Sequence, residues 1–162
     1  RQEAAEKFKA RREAFAEKLQ TIRDEKKKMH VERISTKLTT ANTNRTNHMA
    51  AVLEKLTSIL DRLTEKVGSA KTAGKDVSPA ESAISSAQAA INSAQTAVSN
   101  QAGQTYVIEI RSETTLKPNV GQSVSQLEGD LKNVHKLVVD AKQAVSNAVR
   151  EVAKLGRLTV TP

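Results

Sequence analysis

Apolar residues recur at alternating intervals of four and three between Val120 and Leu155, and this rhythm limits the possible folds more than any other feature. Its members are Val120, Val124, Leu127, Leu131, Val134, Val138, Ala141, Val145, Ala148, Val152 and Leu155. A mean spacing of 3.5 residues places these side chains along one side of a helix, where other helices must cover them. The sequence therefore predicts an all-α fold of the helical-bundle or coiled-coil type.

We call such a row of residues along one side of a helix a seam. A similar seam runs through the first part of the chain, where no Pro interrupts residues 1–73. Its members from residue 31 onward are Ile34, Leu38, Ala41, Arg45, Met49, Val52, Leu56, Ile59, Leu63, Val67 and Ala70. This pattern predicts one very long first helix, whose bundle part spans residues 31–73. We expect it to end at Gly74 rather than at Gly68, because Val67 and Ala70 continue the seam.

The beginning of this predicted helix has an under-filled seam. Phe8, Phe15, Ile22 and Met29 repeat every seven residues, but Arg12 and Lys26 are among the positions between them. At 1.5 Å per residue the first helix would be about 100 Å long, more than the later helices can cover. We therefore expect residues 1–30 to protrude and to offer a surface for self-association or for docking of another protein.

Two further helices and an extended segment complete the predicted fold. Ser78-Pro79-Ala80-Glu81 is typical of a helix start and predicts a second helix over residues 79–102. Asn119 as a cap and Gly156 as a stop predict a third over residues 120–155. The result is an elongated antiparallel three-helix bundle forming a single domain over residues 1–162, with the direction of the third helix left open.

Residues 104–117 lie between these helices, and part of this segment has the period of a strand. Tyr106, Ile108 and Ile110 alternate with Val107 and Glu109. No other segment reads as a strand that could pair with it, so two interpretations stay open: a strap packed over the helices, which we favour, or an edge that pairs with a second chain. The candidate partner-binding residues are Phe8, Phe15, Leu19, Ile22, Met29, Tyr106, Ile108 and Ile110.

The sequence contains no motif typical of catalysis or of a cofactor site. His30, His48 and His135 are far apart, Cys is absent, and no HExxH, GxGxxG or nucleophile-elbow pattern occurs. We therefore expect neither an enzyme nor a metal or cofactor site. The net charge of +8 is spread along the chain, and a single Tyr offers little base stacking, so nucleic-acid binding is an alternative rather than the favoured function.

Four stretches, EKLQTIRDEKKKMHVERISTKL, TNRTNHM, QAGQTYVIEIRSETTL and VHKLVVDAKQAVSNAV, resemble uncharacterised helical proteins of ultra-small candidate-phylum (Patescibacteria-type) bacteria. The resemblance covers most of residues 15–155. It implies export, a processed or truncated N-terminus and a place at the cell envelope or surface. It implies no activity, cofactor or functional residue.

The sequence as a whole favours a non-catalytic structural or protein-interaction module outside the cytoplasm. The alternatives are a basic helical nucleic-acid-binding protein and a protein bound to a membrane surface. No apolar run is long enough to predict a transmembrane helix.

Overall fold

The described part of the chain folds into four helices. A computed structural model describes residues 2–157, with side chains described for residues 6–156. The helices are α1 (Gln2–Leu19), α2 (Glu25–Thr72), α3 (Ser78–Ala102) and α4 (Leu116–Arg157). No strand occurs between residues 2 and 157, so the all-α class is confirmed. The prediction of three helices is wrong, because the long first helix is in fact two. None of these helices is sufficiently long and apolar to cross a membrane over the described residues.

The break between α1 and α2 lies at residues 20–24. After α1 ends, the backbone N–H groups of Gln20 and Thr21 donate to carbonyls three residues back, which forms a tight turn. Asp24 then caps α2, since its carboxylate accepts the backbone N–H groups of Lys26 and Lys27 at 3.0 and 3.2 Å. This cap stabilises the start of α2 at a point where the seven-residue repeat predicts a continuous helix.

The described residues form two compact units, whereas the sequence predicts a single domain. The first contains residues up to 46 together with residues 100–132, and the second contains residues 47–99 together with those from 133 onward. Both α2 and α4 contribute residues to each unit. Each unit has its own buried apolar residues and is described separately below.

The core of the first unit joins α1, α2, α4 and the segment between α3 and α4. Its buried members are Leu19, Ile22, Val31, Leu38, Tyr106, Ile108, Ile110, Leu116 and Leu127. Phe15 is half-buried and packs against this cluster. The prediction that residues 1–30 protrude without cover is therefore wrong, because Leu19 and Ile22 are buried and Phe15 is partly covered.

The segment of residues 104–115 is extended over its first half, and we call it the strap. Tyr106, Ile108 and Ile110 are buried while Glu109 is exposed, as the period of two predicts. It forms no strand ladder with any described residue, and its apolar side chains pack in the core of the first unit, as the favoured interpretation predicts. The strap is shorter than predicted because α4 begins at Leu116, and Asn119 lies within that helix instead of capping it.

The second unit packs the end of α2, most of α3 and the end of α4. Alanines on the seams of α3 and α4 are 0% exposed, which brings helix backbones close together; they are Ala87, Ala94, Ala141 and Ala148. The Lys75 ammonium donates to the carbonyl of Leu155 at 2.7 Å, just beyond the end of α2. In this unit α4 therefore runs in the same direction as α2 and opposite to α3, which settles the direction left open by the sequence.

Gly74 ends α2 as predicted. It has a φ of 78°, and the N–H groups of Gly74 and Lys75 donate to the carbonyls of Lys71 and Ala70 at 3.0 and 3.1 Å. These two bonds form a Schellman motif, in which glycine adopts the left-handed conformation without strain. Gly68, by contrast, lies within α2.

We expect opposite effects from the same substitution at the two glycines. Gly74→Ala should lower the free energy of unfolding by about 1 kcal/mol, because a Cβ strains the left-handed backbone. Gly68→Ala should raise it by about 0.5–1 kcal/mol, because alanine favours helix and its Cβ would meet no atom within 4 Å. Urea titration followed by circular dichroism measures both, and a stabilising Gly74→Ala would contradict the assigned cap.

Candidate functional site

The strap borders an open groove in the first unit, which we call the strap groove. It has a volume of about 680 Å³. Residues 104–110 of the strap form one side, α1 supplies Arg11, Ala14, Phe15 and Lys18, and Gln126 comes from α4. Irregular segments held on a helical scaffold are common sites of binding, so this groove is the candidate functional site.

A buried polar network fixes the start of the strap. The Asn42 amide donates to the carbonyl of Gln101 at 2.9 Å, and the Gln101 amide donates to the Asn42 oxygen at 2.9 Å and to the Tyr106 hydroxyl at 2.6 Å. The Tyr106 hydroxyl in turn donates to Asp130 Oδ2 at 2.7 Å. Asn42 and Gln101 are buried, and every buried side-chain polar atom in the described residues has a partner. The network therefore ties the strap to α2, α3 and α4 without an unpaired polar group.

Three contacts hold the rest of the strap in place. Arg11 of α1 donates to the Thr105 hydroxyl at 3.1 Å, and the Asn119 amide donates to the carbonyl of Glu109 at 2.6 Å. Glu113 accepts the backbone N–H groups of residues 23 and 24, at the break between α1 and α2. The strap and the α1–α2 turn therefore fix each other.

Burial and the hydrogen bond to Asp130 raise the pKa of Tyr106 to about 12 from the usual 10.0. The folded state favours the neutral phenol, because ionisation would place a negative charge inside the core beside a carboxylate. Since the pKa is raised on folding, the associated stability is fully present below about pH 10 and is lost as the pH rises from about 10 to about 12.

This pKa can be measured directly, because Tyr106 is the one tyrosine and Trp is absent. Phenolate absorbance in the folded protein should titrate near pH 12, and in urea near pH 10. Tyr106→Phe should lose less stability than the wild type over this pH range, which separates the phenol from lysine titration. A folded-state midpoint near pH 10 would contradict the buried geometry.

A second groove, between α1 and α2, has a volume of about 260 Å³. Phe8, Arg12 and Phe15 form its α1 side, and α2 supplies Glu32 and a set of hydroxyl residues that includes Thr36, Thr39 and Thr40. The Arg12 guanidinium lies 5.6 Å from the centre of the Phe8 ring, in cation–π geometry. Thr105, Tyr106 and Val107 border this groove as well as the strap groove.

The structure separates the eight predicted partner-binding residues into three groups. Five are buried in the core of the first unit: Leu19, Ile22, Tyr106, Ile108 and Ile110. Phe8 and Phe15 are half-buried beside the grooves, and Met29 is 60% exposed. The buried residues form the support of the site, and only the last three leave side-chain surface for a partner.

Sequence patterns miss the polar residues that position the strap. Asn42, Gln101 and Asp130 are separated by tens of residues, and each resembles an ordinary surface residue of a helix. The one local signal is Asn42, which falls one residue after Ala41 of the predicted seam among poor helix formers. Residues 39–48 are nevertheless all helical, and Asn42 and Thr46 have buried hydrogen-bond partners.

Within the described residues, no group of three or more His, Asp or Glu side chains is arranged to hold a metal ion. Comparisons with protein-family models, with curated proteins and with solved structures found no match. The proposed function therefore depends on the geometry of the strap and its surroundings.

Proposed function

We propose that this protein is a non-catalytic protein-interaction module whose contact surface is the outward side of the strap. The observation that carries this proposal is the contrast between the two sides of residues 105–110. The inward side is buried and hydrogen-bonded, whereas the outward side borders two grooves. A rigid segment that borders open grooves is suited to binding a partner with little ordering cost.

The half-buried apolar side chains beside the strap support a protein rather than a small molecule as partner. Val107 borders both grooves, and Phe8 and Phe15 present half-buried rings on the same side of the unit. Aromatic rings and aliphatic groups surrounded by charged residues are typical of the centre of protein interfaces. Both grooves are open, whereas small-molecule sites enclose most of the ligand surface.

Nucleic-acid binding is the alternative that the net charge of +8 suggests. Its support is weaker, because acidic residues are interspersed with the basic ones on α1 and the strap has a single aromatic ring. Binding of DNA with a steep loss of affinity as salt increases would favour this alternative.

We further propose that the protein is located at the cell envelope or surface. This location is supported by the resemblance of the four sequence stretches to helical proteins that are exported.

Photocrosslinking tests the proposed function. The photoreactive residue p-benzoylphenylalanine replaces Val107, which borders both grooves, and in a matched control it replaces Ser93, an exposed residue of α3. We expect irradiation in the producing cells to give a discrete adduct with one protein at position 107 and none at position 93. Equal adducts at the two positions, or none at position 107, would refute the strap as the contact surface.

A further inference from the structure

The second unit contains a groove that has no role in the proposed function. It lies between α2 and α4, has a volume of about 510 Å³, and is called the α2–α4 groove below. Leu63, Val152 and Leu155 line it and are buried, while Val149 beside them is 42% exposed. The described residues therefore leave apolar surface uncovered between two helices that pack together.

The shape of the α2–α4 groove suits a helix. Ile59 lies seven residues before Lys66 on the same side of α2 and is 38% exposed, so apolar surface continues in line with the groove. Between residues 59 and 73 this side of the chain is about 21 Å long, or about four helical turns. Small residues line the last part of the groove and allow a helix axis to approach closely; they are Ala70, Ala73, Ala153 and Gly156.

The charges of α2 are divided between its two sides. Lys66 lines the α2–α4 groove, and Lys55, eleven residues earlier, lies on the same side of the helix. The carboxylates between residues 52 and 72 are Glu54, Asp61 and Glu65. Their spacing places them on the side of Gly68, which lines the groove between α2 and α3. The side of α2 that faces α4 therefore has cations and no carboxylate.

The charges of α4 in the second unit are divided in the same way. Lys142 lies seven residues before Val149 and is therefore on the groove side. Asp140 lies nine residues before Val149, which is two and a half turns, so it is on the opposite side. Glu151 is also on that opposite side and pairs with Lys154 at 2.7 Å. No carboxylate lines the α2–α4 groove.

The cations beside the α2–α4 groove are available to a partner. Within the described residues, Lys55, Lys66 and Lys142 are exposed and take part in no ion pair. Lys75 also lines the groove, although its ammonium donates to the carbonyl of Leu155. An occupant that matches this surface must carry apolar groups for the groove and negative charges for its borders.

We propose that the α2–α4 groove binds an amphipathic helix of a partner protein, with an apolar stripe flanked by acidic residues. The apolar stripe covers Leu63 and Val149, and the acidic side chains pair with Lys66 and Lys142. The bound helix completes a four-helix arrangement with α2, α3 and α4. This surface lies in the second unit, and the inference does not rest on the strap.

A second copy of this chain is a poorer occupant. Its own α2–α4 groove carries the same positive charges, which repel those of the first copy. The acidic side of its α2 contains Glu54, Ser58, Asp61 and Glu65. That side has no apolar side chain to fill the groove, so it matches the charges but not the apolar surface.

A stapled helical peptide of about 18 residues provides the test. It has leucine at alternating intervals of three and four, glutamate on both flanks of the leucine row, and the staple on the outward side. Titration into the ¹⁵N-labelled full chain should give saturable amide shifts confined to residues 52–73 and 142–156. A peptide with lysine in place of each glutamate should bind at least about tenfold more weakly, and a scrambled peptide without the leucine row should give no saturable shift.

Two pairs of variants separate the groove from general effects. Lys66→Glu should weaken binding of the glutamate peptide by about five- to tenfold, whereas Lys136→Glu, at an exposed position of α4 away from the groove, should leave it unchanged. Val149→Ser should weaken binding by about three- to tenfold, whereas Leu137→Ser, at a similarly exposed residue on another side of α4, should not. All four positions are exposed, so the variants should keep the wild-type circular dichroism spectrum.

The inference is refuted by the absence of saturable shifts, by shifts outside the groove, by equal binding of the lysine or scrambled peptide, or by equal effects within either pair of variants. A mass that doubles with protein concentration in light scattering, and returns to the monomer in Lys66→Glu, would identify a second copy as the occupant instead. Binding of anionic phospholipid vesicles that depends on Lys66, without binding of the glutamate peptide, would assign the groove to a membrane surface.

Discussion

Replacing Leu60 with Ala is expected to lower the free energy of unfolding by about 2–5 kcal/mol. Leu60 is 1% exposed and lies in the second unit, among the buried seam residues of α2. Removing its side chain loses apolar burial and leaves a cavity that rigidly packed helices close only in part. Guanidinium titration followed by far-ultraviolet circular dichroism should show the midpoint moving to lower denaturant.

Leu137 provides the matched control, since it lies in α4 of the same unit but is 37% exposed. Leu137→Ala should cost less than about 1 kcal/mol, because much of that side chain already contacts water. Similar losses for Leu60→Ala and Leu137→Ala would contradict the assignment of the buried seam. Leu131 belongs to the repeating pattern but is half-buried, so its truncation should have an intermediate cost.

The seams predicted most of the helical structure because their signal is long and local. Val134, Val138, Ala141, Val145, Ala148, Val152 and Leu155 of the predicted α4 seam are all buried. Gly74 likewise stops α2 at the predicted residue. A periodic pattern over many turns is recognisable despite single exceptions. A glycine with a positive φ ends a helix through its own backbone conformation, so the end of α2 could be predicted without knowledge of distant contacts.

The break at residues 20–24 was not predicted, because tertiary contacts decide it. The spacing of Phe15, Ile22 and Met29 suits a continuous helix, yet Ile22 is buried and Met29 is exposed. Asp24 is of a residue type that often caps helices, but Asp is also common on helix surfaces, so its presence alone does not predict a helix start. The turn is stabilised by Glu113, about ninety residues away in sequence, which accepts N–H groups of the turn.

The strap illustrates what periodicity can and cannot predict about the candidate site. Alternation correctly predicted that Tyr106, Ile108 and Ile110 face the core. It carried no information about which helices would cover them, nor about the hydrogen bonds from Asn42 and Asn119 that fix the backbone. The grooves beside the strap depend on those long-range contacts, so their lining residues could not be identified from the sequence.

Removing the Asn42 side chain should be the most damaging polar change. Asn42→Ala is expected to cost about 2–4 kcal/mol, because it leaves the buried carbonyl of Gln101 and part of the Gln101 amide without partners, at about 1–3 kcal/mol per group. Asn44→Ala is the matched control, since Asn44 is exposed on the same helix, and should change stability by less than about 0.5 kcal/mol. Tyr106 fluorescence during urea unfolding reports on the first unit, and equal effects of the two substitutions would contradict the network.

A double-mutant cycle with Tyr106→Phe then tests whether the network acts as one structure. Asn42 and Tyr106 both bond to the Gln101 amide, so losing either one loosens the side chain that the other needs. We expect the combined variant Asn42→Ala/Tyr106→Phe to cost less than the sum of the single changes, with a coupling of about 0.5–3 kcal/mol. Because phenylalanine is not a probe at the tyrosine wavelength, circular dichroism replaces fluorescence for this cycle. Additive losses would mean that α2 and the strap are held independently, and the strap would then lack the rigid support on which the proposed binding of a partner protein depends.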